Sequence, residues 1–174
     1  MKRPILFITF LLTLNFIFNA CDKNEDTNSK NGSVEMYLLD SYKTIGIGYQ
    51  IDERKVVTKH QPLLTYSDLL SYNPSKFTFI ISDSAKEKIK SVKHSVHGLA
   101  FAIKAGNQLI YTGYFWPGYS SQSCNWVVID SIILNNELNI QLGYPGLMEG
   151  QVITDKRNDK RILDIFATDN KLIK

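Results

Sequence analysis

The sequence predicts an α+β domain whose mainly antiparallel sheet is covered on one face by helices. Three patterns carry that expectation. A strand at Lys76–Ile81 runs into a capped amphipathic helix ending before Gly98. Long apolar segments, Leu99–Lys104 and Gln108–Phe115, flank the turn Ala105-Gly106-Asn107 as a hairpin. Leu138, Ile140 and Leu142 alternate with Asn139 and Gln141, the mark of a strand with one wet face.

Taken in order, Val34–Asp40 is apolar enough for a buried strand. Ile45, Ile47, Tyr49 and Ile51 alternate with Gly46, Gly48, Gln50 and Asp52, which predicts a half-buried strand or an irregular edge weakened by its glycines. Ser67–Tyr72 predicts a short helix, and Asn73-Pro74-Ser75 a turn. Ser84 with Glu87 forms a capping box, and Ala85, Ile89 and Val92 make one helical stripe. Trp116-Pro117 stops the hairpin, Trp126–Asp130 is a further strand, and Ile132–Leu134 with Glu137–Leu142 surround Asn135-Asn136 as a second hairpin. Asp159–Thr168 puts Ile162, Leu163 and Phe166 on one side of a helix, although Leu163, Ile165 and Ala167 also fit a strand.

The N-terminus has a different character. Lys2 and Arg3 precede an apolar stretch from Pro4 to Ala20, interrupted by Thr9, Thr13, Asn15 and Asn19, and small Ala20 stands directly before Cys21. That is the layout of an export signal cut behind a small residue. Phe18-Asn19-Ala20-Cys21 resembles, in relaxed form, the lipobox of bacterial lipoproteins. The resemblance implies removal of residues 1–20, acylation of the Cys21 thiol and anchorage in the cell envelope, facing either the periplasm or the surface. Asp22–Ser33 contains no apolar side chain, so it cannot bury surface to offset its ordering entropy and is expected to be a tether. Its acidic residues Asp22, Glu25 and Asp26 resemble the surface-export signal of Bacteroidetes lipoproteins. Residues 34–174 then form one globular domain, long enough for a proper core and too short for two.

The chain has 20 basic and 17 acidic residues; without Lys2 and Arg3 the balance is near +1. No charged field exists to attract nucleic acid, which export would in any case put out of reach. Of the two cysteines, Cys21 is assigned to lipid, leaving Cys124 without a partner for a disulfide.

Residues 77–115, with the capped helix and the run Gly98-Leu-Ala-Phe-Ala-Ile-Lys-Ala-Gly-Asn-Gln-Leu-Ile110, resemble the periplasmic head subdomain of the SecD protein-export subunit. There a helix precedes a G-x-P-L-A-I-V-x-D-G-x-V hairpin. The resemblance implies a ferredoxin-like split βαβ arrangement and brings no catalytic motif.

Candidate chemistry is sparse. Gly118-Tyr-Ser-Ser-Gln122 begins like a hydrolase nucleophile elbow, but Gln122 stands where the tight turn needs glycine. Ser120 or Cys124 would need His97 as base to act as a nucleophile. His94 and His97 have the spacing of two metal ligands, yet a structural zinc site takes four and only His60 remains. Neither a metal nor a cofactor is expected. The aromatic run offers more. Tyr111 and Phe115 share one strand face, Tyr114 and Trp116 the other. A rim of Tyr114, Trp116, Tyr119 and Tyr144 is therefore the candidate binding surface, for a glycan or for apolar anchors of a partner protein. The sequence thus points to a non-enzymatic envelope lipoprotein with a binding domain. Its rivals are an envelope hydrolase or thiol enzyme, and an accessory subunit of an envelope machine.

Overall fold

In a computed structural model, residues 32–133 and 135–173 are described. The expected export signal, Cys21 and nearly all of the expected tether lie outside these residues, as does Leu134. Among the described residues no helix is long and apolar enough to cross a membrane.

Eight strands form one sheet: β1 (Val34–Ser41), β2 (Val57–Thr58), β3 (Leu69–Asn73), β4 (Thr78–Ile81), β5 (Leu99–Ala105), β6 (Gln108–Trp116), β7 (Cys124–Asp130) and β8 (Glu137–Tyr144). Their order is β2-β1-β5-β6-β7-β8-β4-β3, antiparallel throughout except for the β6–β7 pair. Two helices, α1 (Asp83–Ser91) and α2 (Lys160–Thr168), complete the α+β architecture. A ferredoxin-like split βαβ is not confirmed by this order. It would put one strand between β4 and β5, and three lie there.

The register assigns side chains to two faces, because directly paired residues point the same way and alternate residues oppose. On the inner face lie Tyr72, Phe79, Leu138, Ile140, Ile129 and Phe115, linked pairwise from strand to strand. Helix α2 covers it. Phe166 is buried with its ring centroid 5.4 to 5.8 Å from those of Tyr66, Tyr72 and Phe79. Asp159 caps this helix by accepting from the Arg161 amide, so the helical reading of the segment holds and the strand reading does not.

Local expectations met the structure unevenly. The β5–β6 hairpin and the Ala85/Ile89 stripe of α1 are as expected. The cap of α1 is Ser82 rather than Ser84: its hydroxyl accepts from the Ala85 amide at 3.1 Å, so the helix starts as soon as β4 ends. Ser84 instead faces Ser82 and Asp68. The helix expected at 67–72 is a 3-10 turn, Tyr66–Asp68, followed by β3. A bulge between Leu69 and Ser71 adds one residue, which puts Leu69 and Tyr72 on the same face and imitates helical spacing in the sequence. The alternating segment 45–52 is not a strand. Gly46 and Gly48 adopt positive φ (63° and 123°), and the chain bends between the bridged pair Thr44 and Ile51. In place of the hairpin expected at 132–142, β7 itself pairs with β8.

Candidate functional site

On the outer face of β6 stand Thr112, Tyr114 and Trp116. The segment 42–56 lies over them, and each anchor is an identifiable polar bond. The Glu53 carboxylate accepts from the Thr112 amide at 2.8 Å and from its hydroxyl at 3.2 Å, while Lys156 Nζ pairs with the other oxygen at 2.6 Å. The Tyr49 amide donates to Asn125 Oδ1 at 2.6 Å. Above β6 the Tyr49 ring meets Trp116 edge-on at 4.7 Å and Tyr114 at 5.8 Å, and Tyr42 meets Tyr114 at 6.0 Å. From the other side, Gly98 permits the approach: at φ +80°, a Cβ there would lie 2.8 Å from Trp116 Cε3.

Two members of the expected rim are therefore corrected. Tyr114 and Trp116 are each 1% exposed, packed beneath segment 42–56. Burial pushes the Tyr114 phenol well above its usual range. Tyr119, by contrast, is 68% exposed. Tyr144 is half-buried and donates its hydroxyl to the Gly118 carbonyl at 2.6 Å, which holds the loop carrying Tyr119. Further exposed apolar side chains were not singled out by the sequence reading: Leu147 and Met148 follow Tyr144 in the chain, Val96 lies beside Ser120, and Ile45 and Ile47 occupy the bend between Thr44 and Ile51. A signal for the last pair existed in the glycines on either side of Ile47, which mark a turn tip rather than a strand.

Ser120, Cys124 and His97 do not form a nucleophile–base pair. Ser120 donates its hydroxyl to the Val96 carbonyl at 3.0 Å and accepts from the Gln122 amide. His97 Nδ1 is 3.1 Å from Gln122 Oε1, which also accepts from the Tyr49 hydroxyl at 2.6 Å. Gln122, the residue in place of the elbow glycine, thus occupies the histidine itself. Cys124 is buried, and burial pushes its thiol up to about 12, only partly offset by a bond from the Trp126 amide. His94 places Nε2 2.8 Å from the Ile89 carbonyl, at the end of α1. Among the described residues no three His, Cys, Asp or Glu side chains gather as a metal site.

No family model, curated protein or solved structure matches this chain.

The state of Cys124 gives a direct expectation. Iodoacetamide at neutral pH should leave it unmodified in the folded protein and alkylate it on unfolding, read by intact mass. The folded thiol keeps its proton to higher pH than the unfolded one. Its contribution to stability is thus present below about pH 9 and lost as the pH rises toward about 12. Rapid labelling of the native protein at neutral pH would contradict the burial described.

Proposed function

We propose that this chain is a lipid-anchored protein of the bacterial cell envelope whose domain binds a protein or glycan partner rather than catalysing a reaction. The observation that carries the binding role is the exposed Tyr119, held on a loop pinned by Tyr144, a residue followed closely in sequence by exposed Leu147 and Met148. An aromatic ring kept in water on a fixed loop has the makings of an interface anchor. The engagement of Ser120 and His97 with other groups, and the protonated Cys124, favour this over the hydrolase or thiol-enzyme reading. Anchorage rests on the lipobox-like Phe18–Cys21; each buried acyl methylene would add about 0.8 kcal/mol of membrane affinity.

The test has two arms. Intact-mass measurement of the native product should find Cys21 as the first residue, carrying acyl mass. Capture from envelope extracts by the full chain should retain a partner that is lost with Tyr119→Ala, by about tenfold or more if the ring is a hot spot. An unprocessed N-terminus would overturn the anchor. Undiminished capture by a correctly folded Tyr119→Ala variant would remove this surface from the reading.

A further inference from the structure

We propose that the open part of the sheet's outer face, over β8, is a binding groove for a neutral oligosaccharide. The inference rests on the reading of the domain as a binding module and assigns the ligand class and a second surface to it.

Pairing fixes the floor. Tyr114 and Trp116 neighbour Val128 and Asp130, Val128 pairs with Gln141, and Gln141, Asn139 and Glu137 follow at alternate positions of β8. All of these belong to one face. Over β6 that face is sealed by segment 42–56, whereas Asp130, Glu137, Asn139 and Gln141 are exposed. Together with Ile132 and Asn135 they line a cavity of about 250 Å3. That is just under the range of about 300–1,000 Å3 usual for small-molecule pockets, which suits one sugar ring at a time. Glu137 to Gln141 spans roughly 14 Å of strand, a row suited to a linear chain laid along it.

The polar groups of the groove are largely unspent. The side chains of Glu137, Gln141 and Asn135 make no hydrogen bond or ion pair with the other described residues, while the backbones of Glu137 and Gln141 lie in the ladders with β4 and β7. Asn139 uses only Oδ1, accepting from the Thr78 hydroxyl at 2.6 Å, and so keeps its amide donors. Asp130 receives the amides of Gly118 and Ile132 on Oδ1 alone. The groove therefore offers carboxylate acceptors beside amides that both donate and accept, which is the complement of adjacent sugar hydroxyls. Half-exposed Ile132 supplies an apolar contact for the C–H face of a ring. Asp130 and Glu137, which pair with no cation among the described residues, repel anionic ligands such as phosphate-bearing ones, whereas a hydroxyl-rich neutral chain meets no such penalty. Gly118, whose amide meets Asp130, is followed by Tyr119, so the groove adjoins the exposed aromatic.

The probes are oligomers of glucose, mannose, xylose and N-acetylglucosamine in both linkages, titrated into the isotopically labelled full chain and followed by amide resonances. At least one oligomer should shift the resonances of residues 137–141. Gln141→Ala and Glu137→Gln touch no internal bond, so both should melt like the native protein while weakening that oligomer about three- to tenfold. The proposal is overturned if no oligomer moves these resonances, if both variants bind normally, or if calcium alone produces the shifts. None of those results would affect acylation of Cys21 or capture dependent on Tyr119, so failure here is separable from failure of the anchored-binder reading.

Discussion

Trp116→Ala is expected to destabilise the domain by about 3–5 kcal/mol, read as a lowered urea midpoint with an unchanged slope. The indole packs against two parts of the chain distant in sequence, the Tyr49 ring edge-on at 4.7 Å and the Gly98 backbone, and against its strand neighbour Tyr114 at 6.1 Å. Its truncation leaves a space that segment 42–56 cannot fill without breaking the Glu53 and Asn125 anchors. A milder variant separates ring packing from polarity. Trp116 Nε1 is buried without a hydrogen-bond partner among the described residues, so Trp116→Phe removes an unsatisfied donor along with some volume and should cost much less. If the alanine variant melts like the native protein, the outer face of β6 is not packed beneath segment 42–56 as described above. A loss of partner binding in Trp116→Ala would accordingly report unfolding.

Phe166→Ala is expected to cost a similar amount, about 3–5 kcal/mol, but with a different distribution. Phe166 is the point at which α2 enters the inner core, among Tyr66, Tyr72 and Phe79. Beyond the helix the chain is tied back to β3. The Tyr72 amide donates to the Lys171 carbonyl, the Ile173 amide to that of Tyr72, and Lys171 Nζ reaches the Tyr66 and Leu69 carbonyls at 3.2 and 3.0 Å. Loss of the ring should therefore free α2 and residues 169–173 together, seen as amide exchange rising there before it rises in β5 and β6. Uniform acceleration across the sheet would show instead that α2 does not open as a separate unit.

Much of the fold was legible wherever one short window held the whole signal. The stripe of α1, the amphipathic α2 and the β5–β6 turn each arise from contacts within a few residues of one another. The failures have a common cause in irregular backbone. One inserted residue at Leu70 turned a strand's period into a helix's, and two glycines turned an alternating segment into a bend. The exposure expected of Tyr114 and Trp116 failed for another reason. Period-two spacing tells which residues share a face, not whether that face is covered, and the cover over Tyr114 and Trp116 comes from Tyr42 and Tyr49, some seventy residues earlier. A clue was nevertheless present: from Ile110 to Trp116 the strand has no charged residue and only Thr112 and Gly113 between apolar ones, the pattern of a strand buried on both faces. The relation of Ser120 to His97 was beyond any sequence argument, because it is decided by which side chain Gln122 reaches.

The position of β8 in the sheet has a consequence for how the chain comes into being. β4 with β3 on one side, and β7 with β6, β5 and β1 on the other, meet through β8, although β4 is made more than fifty residues earlier. A nascent chain ending before Glu137 holds two unjoined pieces of sheet, each with a bare margin open to pairing with another molecule. Maturation must wait for nearly the whole polypeptide, as in other folds of high contact order, and a handler that shields those margins during synthesis would decide the yield.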